Sequence, residues 1–289
     1  MIVNQCRCAP VCCFVFMVLA ALSGCDRTSN SQQGLDSLGS TKFHRAARAG
    51  DVATVTAMLR EGASPDVLDA DGVTALHRAA RDGRTDIAQA LLDNYANSNL
   101  TTGPGWTALQ LAVKYQRVDI VRQLLQYNAN PDLAAPEGPL PLTEAISTHN
   151  DEVVRLLLMD WPQWEMQKII HEDRSVEYKM NTLGTRTANV NLQDGKGITP
   201  LFAAVAIGNH IVASELLGKG AEPDGKTIDG SAPIHLASKS GTDYMVKLLI
   251  DRGANPNMRD GQNETPLTIA ERRNDPVIVQ LIWDRGGRR

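Results

Sequence analysis

A period of 33 residues runs through this chain and restricts it to an architecture built from repeats. Thr41, Thr74 and Thr107 stand at that spacing, Leu140 takes the next place, and the series resumes at Thr199, Ala232 and Thr265. Two residues further on come Phe43, Leu76, Leu109, Leu142, Leu201, Ile234 and Leu267. Three beyond those, an alanine appears in every unit: Ala46, Ala79, Ala112, Ala145, Ala204, Ala237 and Ala270. A bulky pair closes each unit, from Met58-Leu59 and Leu91-Leu92 to Ile282-Trp283. Internal repetition of this length marks a solenoid, in which each unit buries its apolar face only against its neighbours.

One unit, Asp71–Asn97, shows how the sequence specifies the local structure. Asp71-Gly72 supplies a turn, because glycine accepts a positive φ that other residues resist. Thr74 can cap a first helix, whose Leu76, Ala79 and Ala80 share one face, and Gly83 ends it. Ile87, Ala90, Leu91 and Leu92 give a second helix an apolar face. Neither helix is long enough to persist alone in water, so stacking must supply the stability.

The fragments TALHRAA (74–80), TPLFAAV (199–205), APIHLAS (232–238) and TPLTIAE (265–271) resemble the T-P-L-H-x-A signature of the ankyrin repeat. GASPD (62–66), NANPD (128–132), GAEPD (220–224) and GANPN (253–257) resemble its closing loop. The likeness extends from about Ser40 to Gly287. It implies an all-α repeat fold: an ankyrin solenoid of about seven helix-pair repeats, with β-hairpin fingers on one edge, a concave binding face and one inserted segment. His44, His77 and His235 fall on the signature histidine, which the resemblance assigns to ties between neighbouring fingers.

The rhythm breaks once. The Thr position after Leu140 arrives 59 residues later rather than 33, so a segment near 161–186 is inserted. Pro162 at its start predicts a helix through QWEMQKIIHEDRSVEYK, with Trp164, Ile169 and Ile170 on its apolar side and Gly184 at the return. Repeat four is irregular as well, with Pro136, Pro139 and Pro141 stiffening its finger.

Residues 1–24 read as a leader outside the fold. Arg7 gives a positive start, and Val11–Leu22 is an uncharged apolar run too short to span a membrane and suited to a signal-peptide core. It ends in Leu22-Ser23-Gly24-Cys25, which resembles the bacterial lipobox and implies cleavage before Cys25, diacylglyceryl modification of its thiol and acylation of its amine. All five cysteines lie at or before that point, so the mature chain would hold no internal disulfide. Two or three acyl chains suffice for stable anchoring. Asp26, by the same resemblance, favours the inner membrane, and residues 25–40 form a polar tether ahead of the repeat domain at 41–289. The expected location is the bacterial envelope, facing the periplasm.

A net charge of −4 and 4% aromatic residues give no nucleic-acid footprint. No HExxH, GxSxG, GxGxxG or P-loop pattern occurs, and His171-Glu172 lacks a second histidine four residues on. The expectation is a protein that is not an enzyme and uses no cofactor or metal, with catalysis from the insert as a minor alternative. It binds a protein partner, with no nucleic acid and no small-molecule substrate, and is monomeric when unbound. The resemblance places partner contacts at finger tips and at the ends of first helices. Transferred to this chain, these are Asp71, Arg81 and Asp82; Trp106, Lys114 and Tyr115; Glu137; Lys196; Asp229 and Lys239; and Arg272 and Arg273. Trp106 and Tyr115 are adjacent on that map and make the expected hot spot. Two roles fit: an adaptor or protective partner of an envelope protein, or an immunity lipoprotein that occludes an antibacterial toxin.

Overall fold

Among the described residues fourteen helices come in pairs, one pair per repeat, and successive pairs lie against one another in layers. The computed structural model describes residues 42–136, 138–170 and 176–289, with the backbone alone for 164–170 and 176–182. The leader, Cys25, Asp26 and the tether, together with Glu137 and His171, lie outside the described residues. In chain order the helices are α1 (Lys42–Ala49), α2 (Val52–Arg60), α3 (Ala75–Asp82), α4 (Thr85–Asp93), α5 (Ala108–Lys114), α6 (Val118–Gln126), α7 (Pro141–Ser147) and α8 (Asp151–Leu158). After the insertion come α9 (Pro200–Ala206), α10 (His210–Gly218), α11 (Pro233–Ser240), α12 (Asp243–Asp251), α13 (Pro266–Arg272) and α14 (Pro276–Asp284).

The Thr positions act as expected. Thr74 and Thr107 accept from the backbone N–H of His77 and Gln110, and those side chains return a bond to the cap N–H, completing a capping box. Thr265 and Thr268 form the same box on α13, Thr199 accepts from the Phe202 N–H of α9 without a return bond, and Leu140 offers α7 no side-chain cap. First helices end on a left-handed residue, Gly83 at φ 77° being one of them. Where sequence puts Gln116, His149 or Asn274 at that place, the backbone still adopts positive φ, at 56°, 56° and 57°.

The core is continuous along the array. Leu76, Leu109, Leu142, Leu201, Ile234 and Leu267 from first helices meet Leu91, Leu124, Leu157, Leu216 and Leu249 from second helices, and all are buried. A polar ladder runs beside it. The backbone N–H of Asn97 donates to Asp66, that of Asn130 to Asn99, of Asn189 to Asp132, of Glu222 to Asn191, of Asn255 to Asp224 and of Arg288 to Asn257. The fifth residue of each closing loop therefore ties its own unit to the next, and the ladder crosses the insertion unbroken.

The insertion is not a helix. It is an antiparallel ribbon of β1 (Trp161–Ile170) and β2 (Val176–Arg186), with Trp161 opposite Arg186 and Ile170 opposite Val176. The sequence contains the reason. Trp164, Met166 and Ile170, then Val176, Tyr178 and Met180, recur with period two, and residues of this kind favour strands. The helical reading rested on Trp164 with Ile169 and Ile170, a spacing that fits a 3.6 period poorly. Pro162 is tolerated near the start of an unflanked strand. A bulge lies where Gln163 faces Gly184 but Trp164 faces Thr182, which leaves Leu183 as the extra residue beside Gly184 at φ 116°. The Trp161 indole N–H donates to the Leu156 carbonyl at 2.7 Å, fixing the root of the ribbon to α8.

Candidate partner-binding surface

Fingers and first helices make one face, and its side chains depend on what holds each finger in place. A side chain at the start of most fingers accepts from N–H groups of the turn. Asp69 takes Asp71 and Val73 N–H, Asp194 takes Lys196 and Ile198, and Asp260 takes Gln262 and Glu264. Burial would push the Asp69 carboxyl up, but Arg78 and the Val73 and Asp71 N–H groups outweigh it and hold it below the usual value. In finger four the place belongs to Ala135, which has no acceptor to offer, and the Gln110 side chain accepts the Ala135 N–H instead.

The signature histidines join layers. His77 Nε2 lies 2.9 Å from the Leu100 carbonyl, His44 Nε2 3.0 Å from Val67 and His235 Nε2 2.9 Å from Met258. Nδ1 of His77 accepts from the Thr74 N–H, so Nε2 carries the proton that is donated across the layer. Protonation of Nδ1 would remove that acceptor, and burial opposes the charge besides. Burial accordingly lowers His44 and His77 below their ordinary 6.5. A lowered histidine leaves the native state with fewer protons than the unfolded chain just below pH 6.5. Its contribution is therefore complete above that pH and is lost as pH falls through the folded value. The midpoint of urea unfolding is expected to drop between pH 7.5 and 5, above the range in which the carboxylates titrate. The double variant His44→Gln/His77→Gln should flatten that dependence, since Gln110 already makes equivalent bonds to Thr107 N–H and the Pro139 carbonyl.

On this frame the residues expected at the surface fall into two sets. Trp106, half-buried in finger three, carries the Lys114 ammonium over its ring at 4.5 Å, and Tyr115 beside Lys114 is 43% exposed. Arg81 pairs with Asp82 at 2.7 Å, and the Arg81 carbonyl accepts from Arg117 at 3.3 Å. The Asp82 side chain holds Arg81 above, and Arg81 holds Asp82 below, their ordinary values. These five residues occupy the ends of α3 and α5 and the finger between them. Lys196, on finger five, is exposed and has no side-chain partner among the described residues.

The second set is engaged within the array. Asp71 lies 3.3 Å from Arg78, Asp229 accepts from the Thr227 hydroxyl, which lowers its carboxyl, and Arg272 pairs with Glu264. Arg273 donates to the Lys239 carbonyl under Gly241, so it joins two layers.

A family model described as ankyrin repeats (3 copies) matches residues 12–102, 96–168, 174–260 and 212–288. The chain belongs to the ankyrin-repeat family. The human ASB11 ankyrin repeat domain superposes with a TM-score of 0.61 at 24% identity, covering 86% of this chain and 100% of that one. The ankyrin repeat domain of Bcl-3, a member of the IkappaB protein family, gives 0.64 at 24% identity, covering 85% and 99%. No curated protein matches the sequence. Ankyrin arrays are interaction scaffolds, and no catalytic family is indicated. Among the described residues no group of three or more His, Cys, Asp or Glu could hold a metal ion, and no helix is long and apolar enough to cross a membrane.

Within this ankyrin array a cleft of about 590 Å³ opens between repeats four and five. Pro136 and Pro139 form one wall, Ile198, Phe202 and Ile207 the other, and Thr143 lies between them. Of these, Thr143 and Phe202 escaped the sequence reading. The signal was present, since both take the place that holds histidine in three other repeats.

Proposed function

We propose that this ankyrin protein is held at a bacterial membrane by lipid on Cys25, faces the periplasm, and acts as an adaptor or protective partner of an envelope protein. The observation that carries the binding role is the Trp106–Lys114–Tyr115 cluster: two aromatic side chains and a cation on the finger and first-helix face, where ankyrin arrays present contact residues. Aromatic groups of this kind dominate interface energetics. The location rests on the order of features in the sequence, in which Arg7, an apolar run, LSGC and a polar tether precede the first repeat. Binding proceeds by surface complementarity without chemistry on the partner.

Cells fed radiolabelled palmitate should label the wild-type protein and not Cys25→Ser. An unlabelled wild type would remove the anchor from this account. The mature chain without its lipid, immobilised and passed over detergent-solubilised envelopes, should retain one protein at stoichiometric yield.

A further inference from the structure

The junction between repeats four and five keeps the closing-loop bond of Glu222 to Asn191 but lacks the histidine tie made in repeats one, two and six. In repeats one, two and six a histidine at the third position of the first helix reaches a carbonyl 23 residues on, at the base of the next finger. In repeat four the residue is Thr143, and the carbonyl in the equivalent place, after the insertion, is that of Leu192. The threonine is too short to bridge the gap, and its buried hydroxyl has no hydrogen-bond partner. Finger four starts at Ala135 rather than at an acceptor, and Pro136 and Pro139 have no N–H with which to bind finger five. Between α8 and α10 the packing is also sparser than between any other two second helices of adjacent layers. The cleft is what these substitutions leave behind.

Its chemistry is asymmetric. The walls are apolar, from Pro136, Pro139, Ile198, Phe202 and Ile207. Two charged residues line it. Asp194 has an oxygen committed to the Lys196 and Ile198 N–H groups of its own finger at 2.8 and 2.9 Å. Lys196 is exposed, and its ammonium has no partner among the described residues. Beyond the Lys196 finger, the Ile228 N–H donates to the Lys196 carbonyl, and the Ile228 side chain is exposed. We infer that this cleft receives an aliphatic side chain from an extended segment of the protein partner, with an adjacent carboxylate of that segment paired to Lys196. The inference rests on the protein-binding reading and gives it a specific recognition element.

Fluorescent hexapeptides Gly-Ser-X-Z-Ser-Gly serve as probes, with X-Z being Leu-Glu, Leu-Lys or Ser-Glu, read by anisotropy against the mature chain. The Leu-Glu peptide should bind about tenfold more tightly than Ser-Glu, the scale of one buried aliphatic side chain, and about threefold to fivefold more tightly than Leu-Lys, the scale of one exposed ion pair. Lys196→Glu should reverse the preference to Leu-Lys. Thr143→His should fill the cleft and supply the missing tie, abolishing peptide binding while leaving the urea midpoint unchanged or higher. Equal affinity for the three peptides, binding of none, or a Lys196→Glu variant with unaltered preference would overturn the inference. So would a mature chain that sediments as a dimer and that Thr143→His converts to monomer, since the occupant would then be a second copy. Peptide binding needs neither Cys25 nor the Trp106 cluster. Partner capture that survives while the peptides fail removes this inference alone, and peptide binding that survives while capture fails removes the larger reading alone.

Discussion

Leu124→Ala is expected to cost about 3–5 kcal/mol and to unfold one half of the array before the other. Leu124 lies in α6 with no exposed surface, packed between the layers of α4 and α8, and truncating such a leucine leaves a cavity that the surroundings fill only partly. In a linear array the loss spreads through interfaces between neighbours, and it stops where an interface is weak. The junction of repeats four and five is that place. It lacks a histidine tie and has sparse packing between α8 and α10, although the Glu222-to-Asn191, Asn191-to-Gly220 and Asn209-to-Asp151 bonds and the contact of α7 with α9 still cross it. Hydrogen exchange read by peptide should therefore accelerate by roughly two to four orders of magnitude in α3–α8, following the free-energy loss, and stay near its wild-type rate in α11–α14. Uniform acceleration from α1 to α14 would mean one cooperative unit, and the weak junction would have no energetic meaning.

The same contrast explains which parts of this molecule could be read before its structure. The 33-residue period, the Thr caps and the Leu and Ala positions are local and repeated, so each unit corroborated the next, and both helices of every pair lie where the pattern put them. The inserted segment had no copy to support it. There, Pro162 suggests a helix start while the alternation from Trp164 to Met180 specifies strands, and the alternation prevails. The surface was legible in proportion to how much of it depends on one repeat alone. The sequence map makes Trp106 and Tyr115 neighbours within one unit, and the structure sets Lys114, the residue before Tyr115, over the Trp106 ring. Arg273 stands at a contact position by its place in the unit and also donates to a carbonyl in the preceding layer, which no single repeat discloses. The cleft could not be seen as a cavity in the sequence. It exists because Thr143, Ala135 and Phe202 each depart from the pattern at places that meet only across a junction interrupted by 26 extra residues.

Trp106→Ala is expected to weaken capture of the envelope partner by about thirtyfold or more, the loss typical of a central aromatic contact. The fold should tolerate it. Thr102 and Trp106 hold the finger through backbone groups: the Thr102 N–H donates to the Trp106 carbonyl at 2.8 Å, and the Trp106 N–H donates to the Thr102 hydroxyl at 3.0 Å, neither of which needs the indole. Lys114→Ala should have a smaller effect, about twofold to fivefold, because an exposed ammonium over a ring contributes on the order of 0.5–1 kcal/mol. The double variant should then lose less than the product of the two, since the ammonium presents itself through the ring it rests on. Titration of the partner recovered from solubilised envelopes against the three variants, with circular dichroism melts alongside, provides the check. Unchanged affinity in Trp106→Ala with an intact melt would assign the indole to covering the Gly103-Pro104-Gly105 turn, and the contact surface would have to be sought nearer Lys196.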